Sequence, residues 1–211
     1  MDIKDFFELG SKLVSSTVQA HPIGLRPTGK LDDIGDAYRL LKGEFASIQF
    51  PVTFRQEYGT RLCDALDTGY PGLYLISNRM KSALEAAELT GWTTFPIRLL
   101  DKQGNDIDGY QGFSVTGRCG PIDVSKSQII EKRLVPNGPL CIYYKGLHVG
   151  LDRWDGRDFF LPKRNYGTIV TTKGATIIKS SRLTNIRLTN LTDIEIGEMT
   201  ANLIRSKSKM P

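Results

Sequence analysis

Hydrophobic residues in this chain fall into short runs, most of them strand-sized, separated by glycine, proline and polar turns. Near the start, Ile3, Phe6, Phe7, Leu13, Val14 and Val18 recur at helical spacing, which predicts a first helix over residues 3 to 18, weakened at Gly10. Pro22, Gly24, Pro27 and Gly29 end it, so HPIGLRPTGK reads as a loop or an extended arm. The run ASIQFPVTF at 46 to 54 reads as a strand. Its Pro51 places it at a sheet edge or a bulge, because proline has no amide hydrogen for a ladder.

The pattern then becomes more regular. Residues 72 to 76 form a short apolar strand, Ser77 or Asn78 can cap a helix, and 79 to 89 is rich in helix formers up to a turn at Thr90-Gly91. Residues 92 to 99 read as a strand, and DKQGND as a polar turn making a hairpin with a strand at 110 to 116. Further strands are expected at 140 to 144, 159 to 161 and 168 to 172, then a short helix at 173 to 182 and renewed alternation. A shift of 94 positions aligns Ile76-Ser77-Asn78-Arg79 with Val170-Thr171-Thr172-Lys173 and Leu89-Thr90-Gly91-Trp92 with Leu183-Thr184-Asn185-Ile186. Two related strand-helix-strand units, about 72–99 and 167–196, are therefore expected. Two copies are too few for a solenoid, so they should be pseudo-symmetric parts of one α+β fold, with a mixed or antiparallel sheet and short helices. The organisation expected is an N-terminal helix, loop and edge strand over 1–55, a main α+β domain over 56–200 and a basic tail over 201–211.

Composition narrows the class. At 211 residues, the chain can bury a core without staples. The three cysteines, Cys63, Cys119 and Cys141, are odd in number and unpatterned, which points to a reducing compartment. The acidic start MDIKDFFELGSKLV does not read as an export signal, and no apolar run reaches membrane-spanning length, so a cytoplasmic location is expected. The net charge of +5 is uneven: residues 1 to 105 hold 12 basic and 13 acidic side chains, and 106 to 211 hold 16 and 10. The basic residues are scattered except for Arg205, Lys207 and Lys209, read as a frayed tail, so the chain reads less as a nucleic-acid binder than as a protein with a solvated surface.

Searches for chemistry return little. No dinucleotide or phosphate-binding glycine loop, HExxH or GxSxG is present. His21 and His148 are the only near-neutral bases, and neither has a paired nucleophile in the pattern. Cys119, Cys141 and His148, at spacings of 22 and 7, lack the close cysteine pairs of a structural zinc site. Asp152, Asp155 and Asp158 around Trp154 miss the calcium-loop spacing and read as turn residues bonding their own backbone. No metal, cofactor or catalytic residue is expected. An enzyme assembled around His148 and the 152 to 158 loop is the alternative, and a nucleic-acid binder using the basic second half a further one. For a binding protein, Trp154, Asp155, Arg157 and Tyr166 are the candidate contact residues, with Trp92 and Tyr110 as further aromatic anchors.

Four segments taken in order carry a resemblance: DALDTGYPGLYLISNRMKSALEAAELTGWTTFPIRLLDKQGNDI, GPIDVSKS, WDGRDFFL and IVTTKGATIIKSSRLTNIRLTNL. Together they resemble the eleventh-numbered immunity family of bacterial polymorphic-toxin systems. The matching elements are Ile76-Ser77, the helix at 79 to 89, Asp123 with Ser127, Gly156 with Asp158-Phe159, and 168 to 191, within roughly residues 60 to 195. The first 55 residues and the PKRNYG segment lie outside the resemblance. It implies a cytosolic protein that binds and neutralises a cognate toxin, with no catalytic residue and no cofactor to carry over.

Overall fold

The computed structural model describes residues 2–12, 14–27, 35–165 and 167–208. Seven of its strands and two helices come first: β1 (Phe6–Ser11), β2 (Gln19–Pro22), α1 (Asp36–Lys42), β3 (Val52–Tyr58), β4 (Ala65–Asp67), β5 (Tyr74–Ser77), then, after α2 (Asn78–Ala86), β6 (Trp92–Phe95) and β7 (Ile97–Leu100). They are followed by β8 (Tyr110–Val115), β9 (Gly117–Cys119), β10 (Gln128–Arg133), β11 (Leu140–Lys145), β12 (Phe159–Pro162), β13 (Thr168–Thr171), α3 (Thr172–Ser180), β14 (Ile186–Asn190), β15 (Glu195–Gly197) and α4 (Glu198–Ser208). Three sheets result, in the orders β6-β8-β5-β4-β2-β3-β7, β14-β1-β13-β12-β9 and β10-β11-β15. Most pairs are antiparallel, while β2-β4, β3-β7 and β9-β12 are parallel, so the fold is α+β with mixed sheets.

The repeat is present to the residue. Adding 94 to the bounds of β5 and α2 gives those of β13 and α3, and β6 and β14 begin at equivalent residues. Ser77 and Thr171 cap the two helices, accepting from Met80 N (3.1 Å) and Gly174 N (3.3 Å). Beyond each helix, Glu88 and Arg182 take left-handed backbones (φ 51° and 50°), as do Gly91 and Asn185 (φ 84° and 61°). The Gly91 position has no room for a side chain, since a Cβ there would lie 2.1 Å from the Phe159 carbonyl. Asn185 instead donates to the equivalent carbonyl, Ala65 O, at 2.8 Å.

This symmetry explains why the N-terminal segment is not the helix its spacing predicts. Residues 3 to 5 make one 3₁₀ turn and Phe6–Ser11 is a strand. β1 lies between β13 and β14 as β8 lies between β5 and β6, in the same register: Leu9 faces Thr168 and Leu188 as Phe113 faces Tyr74 and Thr94. Long-range ladders override the local periodicity. Two further expectations are corrected. Pro51 stands just before β3, so that strand is interior, and β7 forms the sheet edge. Pro96 splits the 92 to 99 run into β6, which pairs with β8, and β7, which pairs with β3, so DKQGND closes no hairpin ladder beyond the single bridge Leu100–Asp106.

Two aspartates tie the units together reciprocally. Asp64, before β4, accepts from Ser77 Oγ (2.8 Å) in the first unit and from Thr184 N and Oγ1 (both 2.7 Å) in the second. Asp158, 94 positions on, accepts from Thr171 Oγ1 (2.9 Å) and from Thr90 N (2.9 Å) and Oγ1 (3.0 Å). Arg79 bridges Asp64 to the carbonyls of Ser181 and Arg182 (3.1 Å each), and Lys173 reaches Glu88 O (3.4 Å) from the equivalent position. Beneath these contacts α2 lies against α3, and Phe113 meets Phe159 edge-on at 5.6 Å in the shared core. A second core, built on Phe6, Phe160 and Ile169, is roofed by Tyr144, Leu147, Leu191 and Ala201.

Burial alone would raise the Asp64 carboxyl, but its hydrogen bonds from Arg79, Thr184 and Ser77 overcome that and lower it from 3.8 to about 2. A folded value below the unfolded one means stability that is present above about pH 4 and is lost as the pH falls toward 2. Asp64→Asn is therefore expected to cost about 2 kcal/mol at neutral pH. In urea titrations the gap between variant and parent should narrow as the pH is lowered to about 2. A gap unchanged with pH would contradict this role for the ionised carboxylate.

Candidate functional site

The loop from 147 to 158 carries most of the contact residues suggested by the sequence, and it is fastened at each of them. Trp154 is half-buried; its ring meets Phe6 edge-on at 5.3 Å and lies 5.5 Å from Phe160, and its Nε1 donates to Arg157 O at 3.0 Å. Asp155 accepts from its own turn, Arg157 N (3.2 Å), as expected, and also from Arg118 N (2.8 Å). Arg157 donates to Thr116 Oγ1 at 3.1 Å. Tyr166 lies outside the described residues. The other two aromatic anchors are engaged likewise: Trp92 Nε1 donates to Leu89 O (2.7 Å) and Tyr110 Oη to Cys63 O (2.9 Å).

His148 and Asp152 do share a cleft, of about 720 Å³, with Asp2, Asp123, Lys126 and Arg153, while Asp155 and Asp158 do not line it. No hydroxyl or thiol stands in that wall among the described residues. Asp123 caps the 3₁₀ turn that follows it, accepting from Ser125 N (3.1 Å) and Oγ, and Ser127 Oγ donates to Gly146 O at 2.6 Å. The three cysteines are free thiols. Burial, helped by Asp155 and Asp152, pushes Cys119 up to about 12, which suits a packed side chain and not a thiolate ligand or nucleophile.

A different surface stands out by its exposure. β10 is six residues long and is the outer strand of its sheet. Its register with β11 puts Ile129 opposite Tyr144, Glu131 opposite Ile142 and Arg133 opposite Leu140, all on one face. α4 covers the root of that face: Ala201 is buried in the second core, and Arg205 lies 4.7 Å from the centre of the Tyr144 ring. Ile129 on this face is 63% exposed and Leu140 is also open, with Glu131 and Arg133 between them, and Leu134 (66% exposed) and Val135 follow at the tip. Met199 (85%) and Leu203 add two exposed apolar groups, four residues apart on α4. The expected frayed tail is thus helical through Ser208, while Lys209 falls outside the described residues. Sequence reasoning passed over QIIEKR because its charges interrupt the alternation.

With this geometry in place, the sequence profile of the Immunity protein family (Imm11) matches residues 14–193. The chain belongs to the Imm11 immunity protein family. No curated protein matches it. The match takes in the loop, the hairpin and both helices of the repeat, and it starts well before residue 60, where the resemblance began. In this Imm11 chain the elements that carried the resemblance are structural. Ser77 is a helix cap, Gly156 (φ 81°) closes the loop's turn, Asp158 ties the two units together and Phe159 is wholly buried.

Trp154→Ala should act on folding before it acts on binding. Removing a half-buried indole from Phe6 and Phe160 is expected to cost about 3 kcal/mol. Arg157→Ala should stay within about 1 kcal/mol. Thermal unfolding of both variants checks the order, and a Trp154 variant as stable as the parent would return that ring to the list of free anchors.

Proposed function

We propose that this Imm11 protein protects its cell by binding a cognate toxin stoichiometrically through the β10–β11 hairpin and α4. The observation that carries this reading is the group of exposed apolar side chains on the hairpin, Ile129, Leu134, Val135 and Leu140, with Met199 and Leu203 exposed on α4, the helix packed against β11. Exposed apolar side chains gathered on one hairpin and its neighbouring helix are the kind of feature that serves an interaction surface. Its surroundings give the partner's chemistry. Glu131 and Arg133 share the face with these groups, so a toxin surface with an apolar centre and charges of both signs around it would complement it. The free edge of β10 offers alternate backbone groups to a partner strand.

The rival readings have less behind them. An enzyme at His148 would lack a nucleophile in its cleft. A nucleic-acid binder needs free cations, whereas Lys132 pairs with Glu195, Arg118 donates to the Lys42 carbonyl at 2.8 Å and Arg205 covers Tyr144. No helix among the described residues is long and apolar enough to cross a membrane, and a cytoplasmic site of action belongs to this proposal.

Leu134→Asp and Leu140→Asp change exposed side chains, so both variants should fold as the parent does. Each is expected to weaken toxin binding at least thirtyfold, the equivalent of about 2 kcal/mol, and to reduce rescue of toxin-expressing cells in proportion. His148→Ala should bind and protect like the parent. Folded leucine variants with unchanged affinity would contradict the assignment of this face. A His148 variant that binds normally yet protects nothing would favour the enzyme.

A further inference from the structure

The two units agree in register but differ on one sheet face. In the first, Ser114 of β8 turns toward α1 and donates to the Leu40 carbonyl, and Gly112 leaves its space to the Phe95 ring. The register makes Gly10 and Glu8 of β1 their equivalents. Over these residues there is no counterpart of α1 among the described residues. They line a cleft of about 570 Å³ together with Ser11, Asp67, Tyr74 and Arg187. Glu8 is half-buried there, and among the described residues no hydrogen bond or ion pair reaches its carboxylate.

We infer that this cleft is a binding site for a cationic group, an ammonium or guanidinium, which is held at Glu8. A partly desolvated carboxylate with no bonded partner is costly, and a cation entering the cleft offsets that cost by pairing with it. Burial holds the Glu8 carboxyl above its ordinary value, with Arg187 opposing the shift from a distance. The Arg187 guanidinium lies over Gly10, where a Cβ would be 3.2 Å from its Nη2, and makes no ion pair with Glu8. Asp67 adds negative potential without needing the ligand, because Ser11 Oγ (2.9 Å), Gln19 Nε2 (3.3 Å) and Gly69 N (2.7 Å) already satisfy it. Tyr74, pushed up to about 12 by burial with Asp67 and Glu8 beside it, keeps its proton and remains a neutral wall. Arg164, at the rim, has interactions of its own. This site does not depend on the toxin docking at the hairpin. Its cation can be a lysine or arginine side chain of the bound toxin or a free small amine.

The test is an NMR titration of the full ¹⁵N-labelled chain with N-acetylarginine methylamide, following the amides of Gly10, Ser11 and Gly167. Saturating shifts are expected for the parent and none with N-acetylaspartate. Glu8→Gln should weaken binding at least tenfold. Arg187→Ala removes the competing cation from an exposed site on an edge strand, and it should bind the probe more tightly. A purely structural role for Glu8 would not produce that gain. Repeating the titration in the toxin complex separates the sources: a toxin side chain in the cleft blocks the probe, whereas a site for a free amine stays open. Absence of saturation, equal affinity in Glu8→Gln, or no gain in Arg187→Ala would overturn the inference.

Discussion

Asp64 lies just ahead of the first strand-helix-strand unit, yet its carboxylate closes the turn that ends the helix of the second, through Thr184. Asp158 does the same for the first unit through Thr90. Each carboxylate also holds the residue that caps the helix of the unit following it, Ser77 or Thr171. Folding one unit therefore leaves polar groups unmatched until the other arrives, and a buried unmatched donor or acceptor costs about as much as a lost hydrogen bond. The exchange sets how α2 and α3 face each other and how Phe113 reaches Phe159. The sheet registers then fix the position of β1, and through Phe6 the second core on which the hairpin and α4 rest.

The parts of this arrangement that were legible in the sequence are local. A hydroxyl at a strand end, a run of helix formers and a glycine or asparagine after it repeat at a spacing of 94, and the caps at Ser77 and Thr171 follow from that alone. The parts that were not legible depend on partners far along the chain. Phe6 and Phe7 looked like one helical face, but in β1 they point to opposite sides of the sheet, Phe6 into the second core and Phe7 toward Lys179 of α3. Pro51 suggested an edge because nothing local shows that the ladder begins one residue later. The threonines that complete each aspartate lie 120 and 68 residues from it, beyond any periodicity.

The candidate site shows the same division. Turn chemistry at Asp155-Gly156 was visible from residue types, and so was the absence of enzyme motifs. What residue type does not reveal is whether an aromatic ring on a loop is free. Trp154 is held under its turn and Trp92 is bonded to Leu89 O, while the exposed groups of the hairpin and α4 are aliphatic: Ile129, Leu134, Val135, Leu140, Met199 and Leu203. Their exposure is a property of the sheet order, which leaves β10 unpaired on one side, and of the length of α4, which covers Tyr144 but not Leu140.

On this view the paired units are a scaffold and the immunity function sits on the small sheet and helix beside them. Hydrogen exchange of the protein alone and in complex with its toxin tests that division directly. The account expects new protection across β10, the 134 to 139 tip and the outer side of α4, with α2, α3 and the 147 to 158 loop unchanged. Protection confined to that loop or to the helices of the repeat, with β10 exchanging as freely as before, would contradict it.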